Sequence, residues 1–313
     1  MIRYLARRLL WSLATLAGMS VVAFSLVAFA PGDPITAELR FLGVPADPST
    51  VDALRKEFDL DAPVVERYFR WVGRLVTLDL GDSIATGRPV VGEIARAIPP
   101  TLVLALFSLA LIVLMSSVAG VFASLHPRGW AARVLQGLTV ASVSIPLYWL
   151  ALAAVFIGAV TFGVTSIIDS SSFGSLALAA TLVAFGPGMS VSRVVRQRID
   201  DERLEDYVRL TAATGYSPVR ILFRDIGRVV APSLVTIWGN SFGYLLGGAI
   251  VIERIFDRPG LGSLALQAVA ARDYPVVQAY LMLAGALFVG VNWAADAMSA
   301  WADPRLRRRR IHD

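Results

Sequence analysis

The feature that most constrains the fold of this chain is a set of long apolar stretches without any Asp, Glu, Lys or Arg. There are six, and each is long enough for the roughly 20 residues that a membrane-spanning helix needs. They are Leu9–Gly32, Ile98 up to Arg128, Val134–Ile168, Ser170–Ser192, Val229–Ile252 and Tyr274–Ala295. Only 17% of the 313 residues are charged, against roughly 25% in soluble globular domains. We therefore expect an all-α, polytopic membrane protein with six transmembrane helices.

Arginine predicts the orientation, because the short cytoplasmic loops of membrane proteins carry an excess of basic residues. Lys56 is the only lysine, so arginine decides the bias. If the N-terminus is inside, the inner segments hold Arg3, Arg7 and Arg8, then Arg128 and Arg133, eight arginines from Arg193 to Arg228, and five from Arg305 to Arg310. We expect both termini in the cytoplasm. The net charge of +5 then reflects topology and contact with the lipid bilayer rather than nucleic acid.

The predicted spans divide the chain into three parts. Residues 1–30 hold the N-terminus and transmembrane helix 1. Residues 31–97 form a small extracytoplasmic domain of short amphipathic helices between helices 1 and 2. Residues 98–313 form the core with helices 2–6, and residues 200–232 are its main cytoplasmic loop.

Three spans contain residues that disturb or pack helices. Pro146 predicts a kink in the third span, and Gly186-Pro187-Gly188 predicts that the inner end of the fourth is bent or broken. The fifth, expected from about Ser233 to Val251, carries small residues at a spacing of four, which lets helix backbones approach closely. These are Gly239, Gly243 and Gly247.

Residues 200–232, called here the 200–232 segment, form the longest polar interruption in the second half of the chain. The first part has the apolar spacing of a short amphipathic helix, with Asp200 or Asp201 as its N-cap. Its predicted buried face is Leu204, Tyr207, Val208 and Thr211. Gly215 stands where a helix end needs a residue that tolerates positive φ.

A second short helix is expected after Ser217 and Pro218, which fit the N-cap and the first helical position. Its predicted buried face is Val219, Leu222, Phe223, Ile226 and Val230. Two helices around a glycine, with a charged rim and flanking spans, favour a docking element for a soluble partner. A solvated loop that shields the ends of the spans fits the pattern about as well. A DNA-reading helix-turn-helix does not, because apolar runs flank the segment closely.

The sequence lacks the residues of several chemistries. It contains no cysteine, which excludes disulfides, Fe–S clusters and thiol catalysis. Lys56 stands in Arg55-Lys56-Glu57, so a phosphate-binding P-loop is not expected. With only His126 and His312, we expect no metal site, no catalytic residue and no cofactor in this chain. The spans also lack the central ionisable residues that a proton- or sodium-coupled carrier needs. If the chain is a transporter, its energy must therefore come from another subunit.

Motifs along the whole chain carry a resemblance to a known family. Asp206–Gly215 followed by Pro232 resembles the cytoplasmic EAA loop of bacterial ABC importer permeases, in the dipeptide, oligopeptide and nickel branch, first permease subunit. Thr211 stands where the general motif has its glutamate. Further matching stretches are Pro31–Pro34, Leu60–Pro63, Asp79–Ser83, Pro99–Leu102, Glu253 with Phe256, Pro259–Gly262, Arg272–Gln278 and Asp303–Arg305.

The resemblance implies the rest of a transport machine. It implies a homologous second permease subunit, two ABC ATPase subunits that bind ATP with magnesium, and an extracytoplasmic substrate-binding protein. This chain would form half of the translocation path for di- or oligopeptides and hold no nucleotide itself. It would be a multi-pass protein of the cell inner membrane. The alternatives are the same machinery importing nickel or another small solute, and a membrane receptor or scaffold that docks a soluble protein.

The resemblance also assigns roles to residues. The ATPase-coupling loop would comprise Tyr207, Thr211, Ala212, Ala213, Gly215, Ser217 and Pro218. The translocation path or a helix interface would involve Gly239, Asn240, Gly243, Tyr244 and Gly247, which can equally pack within the chain. An outer gate or a contact with the binding protein would involve Glu253, Asp257, Pro259, Gly260 and Asp273. Pairing of these acids with Arg254, Arg258 and Arg272 is the competing interpretation.

Overall fold

The computed structural model describes residues 2–29, 47–57, 62–161, 169–170 and 172–302, together with residues 36, 43 and 45. In these residues the chain is all-α, apart from one isolated antiparallel bridge between Asp82 and Pro89. The first helices are α1 (Ile2–Ala28), α2 (Pro48–Glu57), α3 (Val64–Val76), α4 (Val90–Leu125), α5 (Trp130–Ser144) and α6 (Leu147–Val155), which continues as a π-helical turn, Phe156–Thr161. They are followed by α7 (Phe173–Glu202), α8 (Asp206–Ala213), α9 (Pro218–Arg220), a π-helical turn (Ile221–Ile226), α10 (Gly227–Ile255), α11 (Leu261–Ala271) and α12 (Tyr274–Ala302).

The chain divides into two compact units. The first comprises Met1–Pro100 and Pro259–Val289. In it, α3 packs on α1 through aromatic rings: the Phe24 and Tyr68 centroids lie 5.4 Å apart, and Ser20 Oγ and Tyr68 Oη share a hydrogen bond of 2.8 Å. A core of Val90, Ile94, Ala97, Leu261, Ala268, Val276 and Ala279 joins the start of α4 to α11 and α12.

The second unit comprises Thr101–Arg258 and Gly290–Asp313. Its main core lies between α4, α6, α7 and α10 and consists of small and aliphatic side chains with one buried Phe. The core residues are Leu104, Ala105, Ile112, Ala151, Ala179, Ala180, Val183, Ala184, Leu245, Ala249, Ile252 and Phe256. The many alanines let the helices pack closely, as is usual where small residues line helix interfaces in membranes.

Four helical stretches are long and apolar enough to cross a membrane: Ala6–Ala28, Val90–Leu125, Phe173–Glu202 and Tyr274–Ala294. Two bent helix pairs raise this number to six if each pair is one span. The polytopic all-α fold is therefore confirmed in the described residues. The six-span topology and its orientation stay predictions, as do the domain boundaries at 30/31 and 97/98.

The third predicted span is not one kinked helix but two helices. The segments Ala132–Ser144 and Leu147–Gly158 meet at 100°, with Ile145 in an extended conformation and Pro146 as the N-cap of α6. Proline disfavours helical conformation in the residue before it, which explains why the helix ends at Ser144.

The fourth predicted span is not broken, and a bend at Pro187 stays a prediction. α7 runs without interruption from Phe173 to Glu202 with Pro187 inside it. The glycines beside Pro187 serve close packing instead. A Cβ added to Gly186 would lie 3.4 Å from the Ser142 carbonyl oxygen, and one added to Gly188 would lie 3.5 Å from Met115 Cβ.

Candidate functional site

The 200–232 segment begins inside α7, which continues through Asp200 and Asp201 to Glu202. Neither aspartate therefore caps α8, and that prediction is wrong. The N-cap of α8 is Glu205, whose side chain makes no capping hydrogen bond.

A single buried side chain anchors α8. Val208 is 6% exposed and belongs to a core cluster with Val195 and Ile199 of α7 and with Ile221 and Leu222 of the π-helical turn. The rest of the predicted face is less buried. Tyr207 is exposed and Thr211 is half-buried, and Leu204, which lies in the turn before the helix, is exposed as well. α8 thus rests on the bundle through one residue and leaves most of its surface free.

The glycine turn is as the sequence predicts. Gly215 has φ +86°, a left-handed conformation that residues with a side chain rarely adopt. Ser217 is the N-cap of α9, and its Oγ accepts a hydrogen bond of 3.3 Å from the Arg220 N–H. Pro218 occupies the first helical position, where its missing N–H has no intrahelical partner to lose. These residues fix a sharp turn between α8 and α9.

The second predicted helix is not separate from the fifth span. α9 passes through the π-helical turn directly into α10, which bends by 50° after Leu245. Leu222, Ile226 and Val230 are buried as predicted, and Ile221 is buried with them. Val219 and Phe223 are exposed, so the prediction is wrong for these two residues.

The outer surface of the 200–232 segment carries exposed apolar side chains among its charged ones. Phe223 is 68% and Leu210 69% exposed, and Tyr216 and Val219 are exposed as well. The Arg220 guanidinium lies 4.1 Å from the centre of the Tyr216 ring. Ala212 and Ala213, at the end of α8, are also exposed and present only methyl groups. This segment stands outside the predicted spans, where exposed apolar side chains can mark a contact surface for another protein.

Hydrogen bonds order the exposed side of α8. The Tyr207 hydroxyl donates to Glu202 Oε1 at 2.6 Å, and Thr211 Oγ1 donates to the Tyr207 carbonyl at 2.8 Å. Partial burial, with the hydrogen bond to Glu202, raises the pKa of Tyr207 well above its ordinary value. The phenol therefore stays protonated and continues to donate. Thr211, which replaces the glutamate of the general motif, is satisfied within α8.

Sequence analysis missed a polar cluster around Asp200 that joins α4 to α7. Its carboxylate accepts hydrogen bonds from Ser124 Oγ at 2.6 Å and Arg196 Nε at 3.3 Å. Arg203 Nη1 lies 3.7 Å from the same carboxylate and donates to the Ser124 carbonyl at 2.7 Å. The spacing of four between Arg196 and Asp200 could have indicated the helical ion pair. The contact with Ser124, 76 residues away, leaves no local signal.

The glycine stripe of the fifth span has a mixed environment. Gly239 is buried, and a Cβ added to Gly243 would lie 3.5 Å from Val291 Cγ1 of α12, so Gly243 faces a neighbouring helix. Asn240, Tyr244 and Gly247 are exposed in this chain. In the described part of the chain, no atom lies within 4 Å of a Cβ added to Gly247. The stripe therefore packs within the chain only in part.

Glu253 lies buried at the end of α10. It is 1% exposed and accepts a hydrogen bond of 2.5 Å from Thr101 Oγ1. Arg258 Nη1 donates a hydrogen bond of 3.1 Å to the Ser170 carbonyl. Burial lowers the pKa of Arg258, and the negative charge of Glu253 partly offsets that decrease. Glu253 is therefore inaccessible to a soluble protein in this conformation. Asp257 is exposed in a turn with φ +47°.

Asp273 is also buried, at 2% exposure, between α11 and α12. It accepts hydrogen bonds from Ser83 Oγ at 2.5 Å and from the Ile84 and Ala85 N–H groups at 3.2 and 3.3 Å. It thus holds the turn after Ser83 instead of pairing with Arg272, whose φ of +57° ends α11. Pro259 is exposed, and buried Gly260 is the N-cap of α11.

Comparison with known proteins identifies the family of this chain. Residues 116–308 match the family described as the binding-protein-dependent transport system inner membrane component. Residues 1–105 match the N-terminal part described for the same transport systems. The chain belongs to this family. It is therefore a multi-pass inner membrane protein and a permease component of an ABC transport system, as its motifs predict.

Individual relatives match over nearly the full length. A protein named as a peptide transport system permease of Brucella abortus (strain 2308) is 34% identical over 92% of this chain and 94% of its own. The glutathione transport system permease protein GsiC of Escherichia coli (strain K12) is 32% identical over 98% of this chain and 99% of its own. A solved structure of the MetNI methionine ABC transporter in inward-facing conformations contains a chain with the same fold. That likeness has a TM-score of 0.58 at 19% identity and covers 69% of this chain and 98% of the other.

Proposed function

We propose that this chain forms half of the translocation path of an ATP-driven importer of di- or oligopeptides. In this proposal two ATPase subunits bind ATP with magnesium on the cytoplasmic side, and this chain receives their movement through the 200–232 segment. A homologous second permease completes the path, and an extracytoplasmic binding protein delivers the peptide. The names of the full-length relatives support the substrate class.

The construction of the 200–232 segment is the observation that carries the proposal. Val208 anchors α8, the Gly215 turn gives a fixed geometry, and α9 is continuous with the fifth span. A force applied to α8 can therefore act on a membrane helix without passing through a flexible loop. The exposed Leu210, Tyr216 and Phe223 supply the apolar contact that a soluble ATPase would bury.

A second permease is supported by the exposed face of α10. Asn240, Tyr244 and Gly247 follow one another at spacings of four and three and so lie on one side of the helix. An amide exposed to hydrocarbon is costly, whereas at a helix interface it can form a hydrogen bond. A partner permease would cover this face.

Six spans with both termini in the cytoplasm fit the same proposal. The bent pairs then count as one span each, and the 200–232 segment lies on the arginine-rich side, where ATPases bind. Asp257 and Pro259 emerge on the opposite side, where the binding protein would approach.

Reconstitution tests the proposed function. The chain is purified together with its partner permease and ATPases, inserted into liposomes, and supplied with binding protein, ATP and radiolabelled trialanine. ATP-dependent accumulation of trialanine is expected, whereas the chain purified alone should not hydrolyse ATP. Accumulation of nickel without peptide would identify the alternative substrate, and ATP hydrolysis by the chain alone would contradict the proposal.

A further inference from the structure

The second unit contains a cavity of about 470 Å³ at the break of the third span. One wall consists of Ser142, Ile145 and Pro146, around the corner between α5 and α6. This volume lies within the roughly 300–1,000 Å³ typical of small-molecule sites. The cavity thus coincides with the strongest irregularity among the described spans.

The break leaves main-chain acceptors beside the cavity without their helical donors. In an uninterrupted helix, the Ser142 carbonyl would accept a hydrogen bond from the residue four positions later, but that residue is Pro146, which has no N–H. The 100° corner also separates the neighbouring carbonyls at the end of α5 from α6. In an apolar environment, unpaired carbonyls are costly unless a ligand or another polar group satisfies them.

The opposite walls lie close to these acceptors. Gly186 and Pro187 of α7 line the cavity, and a Cβ added to Gly186 would lie 3.4 Å from the Ser142 carbonyl oxygen. Tyr244 and Gly248 of α10 also line it, on either side of a 50° bend in that helix. No atom of the described residues lies within 4 Å of a Cβ added to Gly248. A side chain introduced at position 248 would therefore enter free space.

The lining has a definite chemistry. Among the described residues that form it, none is charged, and the polar side chains are Ser142, Ser190 and Tyr244. Carbonyl and hydroxyl oxygens accept hydrogen bonds from amide N–H groups and from an ammonium group. The aliphatic remainder of the wall can contact the apolar parts of peptide side chains. This combination fits the main chain of a short peptide.

We infer that the cavity between α5, α6, α7 and α10 is a transient binding site for the main chain of the transported peptide. The inference rests on the proposed function and specifies which residues of the path hold the substrate. Discontinuous helices that line cavities place backbone groups where transporters bind their substrates. Because recognition uses main-chain groups, uptake should tolerate peptides with different side chains.

A cavity-filling substitution tests this site in the reconstituted complex with ATPases, partner permease and binding protein. Gly248→Trp should occupy the cavity and lower ATP-dependent trialanine uptake about tenfold or more, because a filled site cannot accept further volume. ATP hydrolysis stimulated by the loaded binding protein should persist. The matched control is Gly137→Trp, since Gly137 is an exposed glycine of α5 with open space at Cβ that does not line the cavity.

Thiol protection provides a second measurement, because the chain has no cysteine of its own. Ser190→Cys should react with a small thiol reagent in the working complex, and transported trialanine should slow that reaction. Three results would overturn the inference. The first is uptake by Gly248→Trp equal to that of the wild type, and the second is an equal loss of uptake in Gly248→Trp and Gly137→Trp. The third is labelling of Ser190→Cys at a rate that trialanine leaves unchanged. Absence of peptide uptake by the wild-type complex would instead contradict the proposed function.

Discussion

The Asp200 carboxylate accepts a hydrogen bond of 2.6 Å from the Ser124 hydroxyl and so joins the last turn of α7 to the end of α4. Arg203 completes the link by donating to the Ser124 carbonyl at 2.7 Å. α8 begins three residues after Arg203. The contact therefore lies between the proposed ATPase-docking surface and two membrane helices.

Removal of this contact should uncouple transport from hydrolysis. In Asp200→Ala, Arg196, Arg203 and Ser124 lose their shared acceptor, at a cost of about 1 kcal/mol for a half-exposed cluster. The complex should still assemble and hydrolyse ATP, but the ratio of peptide imported to ATP hydrolysed should fall. Glu66→Ala is the control, since Glu66 is an exposed partner of Arg70 at 3.2 Å and lies outside the 200–232 segment. Equal ratios in the two variants would contradict the coupling role of Asp200.

A second prediction separates a structural role of Asp273 from contact with the binding protein. Asp273→Ala leaves the Ser83 hydroxyl and the Ile84 and Ala85 N–H groups without their acceptor. A buried donor that loses its partner costs about 1–3 kcal/mol, so the thermal unfolding midpoint in detergent should fall. Asp52→Ala, on the exposed surface of α2, should leave it unchanged. An unchanged midpoint with weaker binding of the binding protein would show that Asp273 acts in the contact instead.

The orientation can be tested by thiol labelling of single-cysteine variants. Thr77 follows α3 and Thr214 precedes Gly215, and both are exposed. Thr77→Cys should react with an impermeant reagent in intact cells, and Thr214→Cys only after permeabilisation. Ser83 is unsuitable as a reporter because it is 3% exposed. The reverse pattern would overturn the N-in assignment and place the 200–232 segment on the wrong side for an ATPase.

Local chemistry made the turn of the 200–232 segment predictable. Gly215 and the Ser217-Pro218 pair each have conformational preferences that depend on their immediate neighbours, and the structure has them as expected. The polytopic all-α class was also predictable, because the length of the apolar stretches and their lack of charge follow from the thickness of a bilayer.

Other features depend on distant contacts or on small energy differences. Apolar spacing placed Phe223 on the same face as Leu222 and Ile226, but Phe223 is exposed and the other two are buried. The acceptor role of Asp273 joins residues 190 positions apart. Pro187 stays within a continuous helix whereas Pro146 precedes a new one, so the presence of a proline alone does not predict where a helix ends.

The most direct test of the central claim is a measurement of ATPase retention and trialanine uptake by complexes that carry Gly215→Val. With φ at +86°, a β-branched residue should strain the turn by about 1–3 kcal/mol, which displaces α8 while the packed spans persist. Ala213→Arg, which places a long charged side chain on the docking surface, should have the same effect. Gly137→Val is the control, an exposed glycine outside the segment. We expect Gly215→Val and Ala213→Arg complexes to lose their ATPases, or to hydrolyse ATP without peptide uptake, whereas Gly137→Val complexes should do neither. Retained ATPases together with wild-type uptake in both Gly215→Val and Ala213→Arg would contradict the docking role of the 200–232 segment.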